Sequence, residues 1–125
     1  MTSPVRVMLE HGKKKRVVAS AFDWPGWDRA TKLGGDVLGV LDDYRDRYAH
    51  VADRAGFGEE FRSQGDLHVV EQVEGIGMTD YYGVSGRPAP AELEPMTDAD
   101  LERKLALLRA SWDTFDDAAG RVSAE

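Results

Sequence analysis

The chain has 125 residues, 42% of them apolar and 31% charged, with a net charge of −7 and no cysteine. That length suits one domain, or one small domain plus an appendage. A surface this acidic repels phosphate backbones, which disfavours nucleic acid as a partner, and the absence of thiols excludes disulfides and thiolate metal sites. No apolar run approaches the ~20 residues that span a bilayer. MTSPVRVMLE lacks the apolar core of a signal peptide, so the expectation is a cytoplasmic protein with no membrane association.

Two apolar, β-branched runs, Val5–Glu10 and Arg16–Asp23, flank His11–Arg16, where Gly12 can form a turn. They predict a β-hairpin. Pro25 and Gly26 end or bulge the second strand near Trp24, and Trp27–Thr31 alternates as a short third strand. A helix is then expected over 33–55, because Val37, Leu38, Val40, Leu41, Tyr44, Tyr48, Val51 and Ala52 share one face. Asp42, Asp43, Arg45, Asp46 and Arg47 take the other, with Asp43 and Arg47 at ion-pair spacing. Gly39 inside that helix costs about 1 kcal/mol against Ala, and Gly56 suits its C-terminal stop.

Phe57–Asp66 reads as a polar connection with two Phe anchors. Leu67–Glu74 reads as a strand with Leu67, Val69 and Glu71 on one face and His68, Val70 and Gln72 on the other. Gly75–Pro95, rich in Gly and Pro and stiffened by Pro88 and Pro90, reads as loop and linker. Thr97 is a good N-cap for a final helix, with Met96 and Leu101 spaced as a hydrophobic staple. In that helix Leu101, Leu105, Leu108, Trp112, Phe115, Ala119 and Val122 recur at alternating intervals of four and three, the seam of a bundle or coiled coil. Such a seam needs a cover: the sheet, a second copy of the chain as a homodimer, or further helices of a bundle.

Phe22, Asp23, Pro25 and Gly26, followed by a third strand and an amphipathic helix, resemble the HicB-like domain. Gly34 and Gly35 stand where that family usually has acidic residues, and Ala30 where it often has Gly. The resemblance covers roughly the first 75 residues. It implies a β-β-β-α-β domain of the kind often used as an antitoxin against a small ribonuclease. The whole chain is also similar to an uncharacterised actinobacterial protein family with a GKKR…A-x-DWPGW start and the helix YRDRYAHVA (Tyr44–Ala52), followed by a DinB-like helical segment. Here only the first helix of that segment, Asp98–Val122, would be present.

Trp24 and Trp27 either wall a core or face a partner, since aromatics serve both roles. Lying across one turn, they suggest one ring inward and one outward. Lys13, Lys14, Lys15 and Arg16 form a cationic hairpin tip that can contact an acidic partner, or is simply solvated. His11, His50 and His68 have no metal-ligand spacing, even with Asp66 or Glu71 as companions. Asp42, Asp43 and Asp46 read as a solvated helix face. No nucleophile elbow or phosphate-binding loop is present, and Gly75–Gly83 has no helix after it. Tyr81 and Tyr82 could gate a pocket, but a packed loop is the plainer reading.

The expected architecture is α+β. A small antiparallel sheet with one helix packed on it fills residues 1–76, a Gly/Pro-rich linker fills 77–96, and a C-terminal amphipathic helix fills 97–125. The leading functional expectation is a non-catalytic HicB-like interaction domain, antitoxin-like, that binds a protein through an edge strand or the Trp loop. It takes no cofactor and no metal. The alternative is the N-terminal portion of a DinB-like metal-dependent enzyme, contributing substrate binding.

Overall fold

A computed structural model describes residues 3–84, 86 and 93–122. The protein is α+β. Strands β1 (Val5–His11), β2 (Arg16–Ser20) and β3 (Asp28–Lys32) precede helices α1 (Val37–Asp43), α2 (Arg45–Ala55) and α3 (Gly58–Arg62). Strand β4 (Leu67–Glu74), helix α4 (Gly77–Tyr82) and the long helix α5 (Asp98–Gly120) complete it.

The sheet order is β3-β2-β1-β4, with β1–β2 and β2–β3 antiparallel. β4 pairs with β1 in parallel, so the sheet is mixed, not purely antiparallel as expected. The reason is topological. A parallel return needs a long crossover, and the helical layer from Val37 to Arg62 supplies it.

The expected single helix over 33–55 is two helices broken at Tyr44. The Leu41 carbonyl, which would accept from Arg45 in a continuous helix, instead accepts the Trp27 indole N–H at 2.9 Å and the Tyr44 N–H at 3.2 Å. Asp36 caps α1 by accepting from the Gly39 N–H at 3.0 Å. A Cβ at Gly39 would collide with the Asp36 carboxylate, so this glycine, in the first turn of α1 and not mid-helix as expected, makes room for the cap. Gly56, left-handed at φ 89°, ends α2 as expected. On the outer face Arg45 pairs with Asp42, while Arg47 lies over the Tyr44 ring and not against Asp43.

The core lies between the sheet and α1–α3, and Leu107 and Ala110 of α5 close it from the far side of α2. Two segments expected to be irregular carry helical turns. Phe57–Asp66 contains α3, which sends Phe61 into the core, and the linker contains α4. Pro88 and Pro90 lie outside the described residues.

β4 also departs from simple alternation. The register with β1 shifts between Val7 and Met8, so Val7 faces Val69 but Met8 faces Glu71. This bulge at Val70 reverses the facing of the strand. Leu67 joins the helix-side core, and Val73 packs on the other sheet face with Met8 and Phe22. Glu71 therefore lies opposite Met8, not with Leu67 and Val69 as the period-two reading has it.

That second sheet face is covered too. Met8, Glu10, Val18 and Ser20 are buried there. The Glu10 carboxylate accepts from the Thr79 hydroxyl at 2.6 Å and from the Gly86 N–H at 2.8 Å. The expected linker thus begins as a cover for the sheet.

Among the described residues no helix is long and apolar enough to cross a membrane.

Candidate functional site

Trp24 and Trp27 are 2% and 1% exposed, which corrects the expectation of one ring inward and one outward. The turn holding them is tied by Ala21 N–H to Trp27 O (3.0 Å) and Trp24 N–H to Ala21 O (2.8 Å), with Gly26 at φ 92°. Both rings point under the helices because Tyr48 and Phe61 offer aromatic partners there. Trp24 meets Phe61 edge-on at 4.9 Å and Trp27 stacks on Tyr48 at 5.9 Å.

Most polar atoms around this cluster are satisfied locally, the exception among the described residues being the buried Arg103 Nε, which has no hydrogen-bond partner. The Tyr48 hydroxyl donates to the Pro25 carbonyl at 2.7 Å, and burial pushes its pKa well up, so it stays a donor. Arg103 of α5 lies 4.2 Å over the Trp24 ring and donates to the Asp23 carbonyl at 2.6 Å. The Trp loop is therefore an internal joint between sheet, α2 and α5, and it presents no indole surface to a partner.

The cationic hairpin tip lies on the surface, and one acidic side chain organises it. Asp80 of α4 accepts from the backbone N–H groups of Lys13 (3.1 Å), Lys14 (3.2 Å), Lys15 (2.8 Å) and Arg16 (3.2 Å). Four successive N–H groups aimed at one carboxylate form an anion nest. Those bonds, the Lys15 N–H foremost, hold the Asp80 carboxyl below the usual carboxylate range against the opposing effect of desolvation. Gly12 makes the approach possible. A Cβ there would overlap the Asp80 carboxylate and lie 2.6 Å from the Arg16 carbonyl oxygen.

Locking the backbone frees the side chains to point elsewhere. Arg16 pairs in register with Lys32 of β3, which puts both on one face at the same end of the sheet. With Lys14 and Lys15 they line a concavity of about 540 Å³ floored by Ala30 and Thr31. Tyr81 and Tyr82 stand beside it, both exposed, with the Lys15 ammonium 5.7 Å from the Tyr81 ring centre. Sequence reading found the tip residues. Lys32, the role of Asp80 and the position of Tyr81 and Tyr82 beside the tip are not legible there, because strand register and a contact across 65 residues bring them together.

Two other surface concavities each contain an ion pair of their own. A concavity of about 160 Å³ between the Phe22–Asp23 turn and the start of α5 holds Arg6 and Asp23 in a bidentate pair at 2.6 and 2.8 Å. A groove of about 610 Å³ between α2 and α5 contains Arg47, His50, Arg54 and Arg121, but Arg54 is paired with Asp117.

The histidines stand apart. His11 bonds Gln72 at 2.8 Å, His50 lies in the α2–α5 groove, and His68 is exposed on β4. Among the described residues no group of three or more His, Asp or Glu is placed to hold a metal.

No family model matches the chain, and no curated protein or solved structure matches it significantly.

The residues expected to form a seam, Leu101, Leu105, Leu108, Trp112 and Phe115, are all exposed. α5 instead docks through Arg103, Leu107 and Ala110, a different stripe of the same helix. The Met96 and Leu101 side chains, spaced as a staple, are also largely exposed, while the Thr97 cap forms as expected, accepting from Asp100 N–H at 3.1 Å.

Proposed function

We propose that the protein is a non-catalytic interaction module that takes an acidic segment of a partner protein on the face formed by Lys14, Lys15, Arg16 and Lys32. The observation that carries this reading is the convergence of those four cations on one concavity in a chain of net charge −7. The Asp80 nest fixes the backbone beneath them, so little ordering entropy is lost when a ligand docks. Cations on a preset surface steer an acidic partner and set its register. Tyr81 and Tyr82 add rigid aromatic area at the rim.

The HicB-like resemblance of Phe22, Asp23, Pro25 and Gly26 supports the module reading, as does the run of three strands, a helical layer and a fourth strand over the first 74 residues. An antitoxin-like role is the finer form of the proposal, and co-purification with the product of a neighbouring gene would support it.

The test is fluorescence anisotropy with a labelled peptide of Asp and Glu. Saturable binding that weakens with salt is expected, with at least a ~10-fold loss in a Lys14→Glu, Lys32→Glu variant. Arg121→Glu, in the other basic groove, should change little. Absence of binding, or a single-stranded oligonucleotide binding far more tightly at physiological salt, would overturn the proposal.

A second reading rests on the exposed seam of α5. There the chain opens a DinB-like helical bundle and contributes substrate binding to it. Its test is whether the natural reading frame continues into further helices.

A further inference from the structure

Most of the apolar stripe of α5 points away from the body that α5 is attached to, while the exposed Phe115 borders a groove with Trp27 and Tyr48. Arg103, Leu107 and Ala110 face α2 and the Trp loop. Leu101, Leu105, Leu108, Trp112 and Phe115 lie two positions away, about 200° around the helix. They are 47, 40, 38, 60 and 70% exposed. Tertiary packing thus leaves a continuous a/d seam open to solvent, backed by a helix already held in place.

We infer that this seam pairs with the α5 of a second copy of the chain, in antiparallel alignment. The charges flanking the seam select both occupant and direction. In the heptad that the seam defines, Glu102 and Arg109 take e positions and Lys104 takes a g position. A parallel pair would set Lys104 against Arg109 of the second copy, a like-charge contact made twice. An antiparallel pair sets Glu102 against Arg109 of the second copy, an opposite-charge contact made twice by the two-fold axis.

The same alignment matches the apolar layers. Leu105 meets Leu108 of the second copy, Leu101 meets Trp112, and Phe115 runs beside the exposed Met96. Among the described residues neither Glu102 nor Arg109 has an ion-pair partner within its own chain.

The area is adequate. Five large side chains offering on the order of 100 Å² each supply about 500 Å² of the ~800 Å² per partner that stable interfaces remove from water, and the stems of Glu102, Lys104 and Arg109 add to it. The expected dissociation constant is therefore modest, on the order of 10 µM.

The experiment is sedimentation equilibrium of the full chain up to ~500 µM, with seam and charge variants alongside. The wild type should reach a dimer with increasing concentration. Leu105→Glu with Trp112→Glu should stay monomeric while keeping its helical circular dichroism, since both sites are exposed. Glu102→Arg or Arg109→Glu alone should weaken association ~3–10-fold, and the two together should restore it. Because the chain has no native cysteine, direction can be read directly. Leu105→Cys mixed with Leu108→Cys should cross-link faster than Leu105→Cys with itself.

A monomer at every concentration would overturn the inference and leave the seam to the bundle reading. Association unaffected by the seam variant, failure of the charge swap to restore it, or faster cross-linking between equal positions would also overturn it. The inference stands on α5 alone, so its failure leaves the basic-face proposal untouched.

Discussion

Trp27 donates its indole N–H to the Leu41 carbonyl at 2.9 Å, and the helix breaks three residues later. One hydrogen bond thus ties the turn after β2 to the point where α1 gives way to α2. Replacing Trp27 by Phe keeps an aromatic ring but leaves the Leu41 carbonyl without its buried donor and a void beside Tyr48. The expected cost is about 2–3 kcal/mol in urea unfolding. Trp24→Ala, which empties the site facing Phe61 and Arg103, should cost about 3–5 kcal/mol.

Asp80 should govern the shape of the hairpin tip. Asp80→Asn removes the charge that four backbone N–H groups point toward. The amides of Lys13–Arg16 should then exchange with solvent about tenfold faster, with the core amides unchanged. Gly12→Ala should give the same signature by blocking the carboxylate's approach.

The same contact has a pH dependence of known sign. The folded-state pKa of Asp80 is lowered, so its contribution is fully present above the unfolded value of ~3.9 and is lost as pH falls through the lower folded value. Tip protection should therefore be flat from neutral pH down to about 4 and fall only below that. In Asp80→Asn this acid-dependent step should be missing. Hydrogen exchange across that range measures both.

Thr79 links α4 to the sheet. Its hydroxyl donates to Glu10 at 2.6 Å and accepts from Ile76 N–H at 3.0 Å. Thr79→Val preserves shape while removing both bonds, and should cost about 1–3 kcal/mol. The loss should appear first as faster exchange at Gly77–Gly83, because α4 is the element released.

Local chemistry was legible in the sequence wherever it depends on neighbours along the chain. The hairpin around Gly12, the stop at Gly56 and the Thr97 cap are of this kind. What could not be read depends on distant partners. The alternation of Leu67–Glu74 predicts one face for Leu67, Val69 and Glu71, yet pairing with β1 inserts a bulge at Val70 that only the partner strand reveals. The apolar period of α5 marks its greasiest stripe correctly. It does not say which stripe is buried, because Leu107, Ala110 and the stem of Arg103 fit α2 and Trp24 better than the bulkier seam does. Both Trp rings turn inward for a similar reason: Tyr48 and Phe61, on different helices, wall the same space. Of the cationic face, the sequence showed the lysine run but not Lys32, which strand register delivers to it.

The central claim is that the exposed cationic face, and not the tryptophan loop, receives the partner. Backbone and indole ¹⁵N chemical shifts during titration with the Asp/Glu peptide test it most directly. Shifts should concentrate at Lys14–Arg16, Thr31–Leu33 and Tyr81–Gly83, while the Trp24 and Trp27 indoles stay still. Perturbation centred on the two indoles, or none at the hairpin tip at saturating peptide, would contradict it.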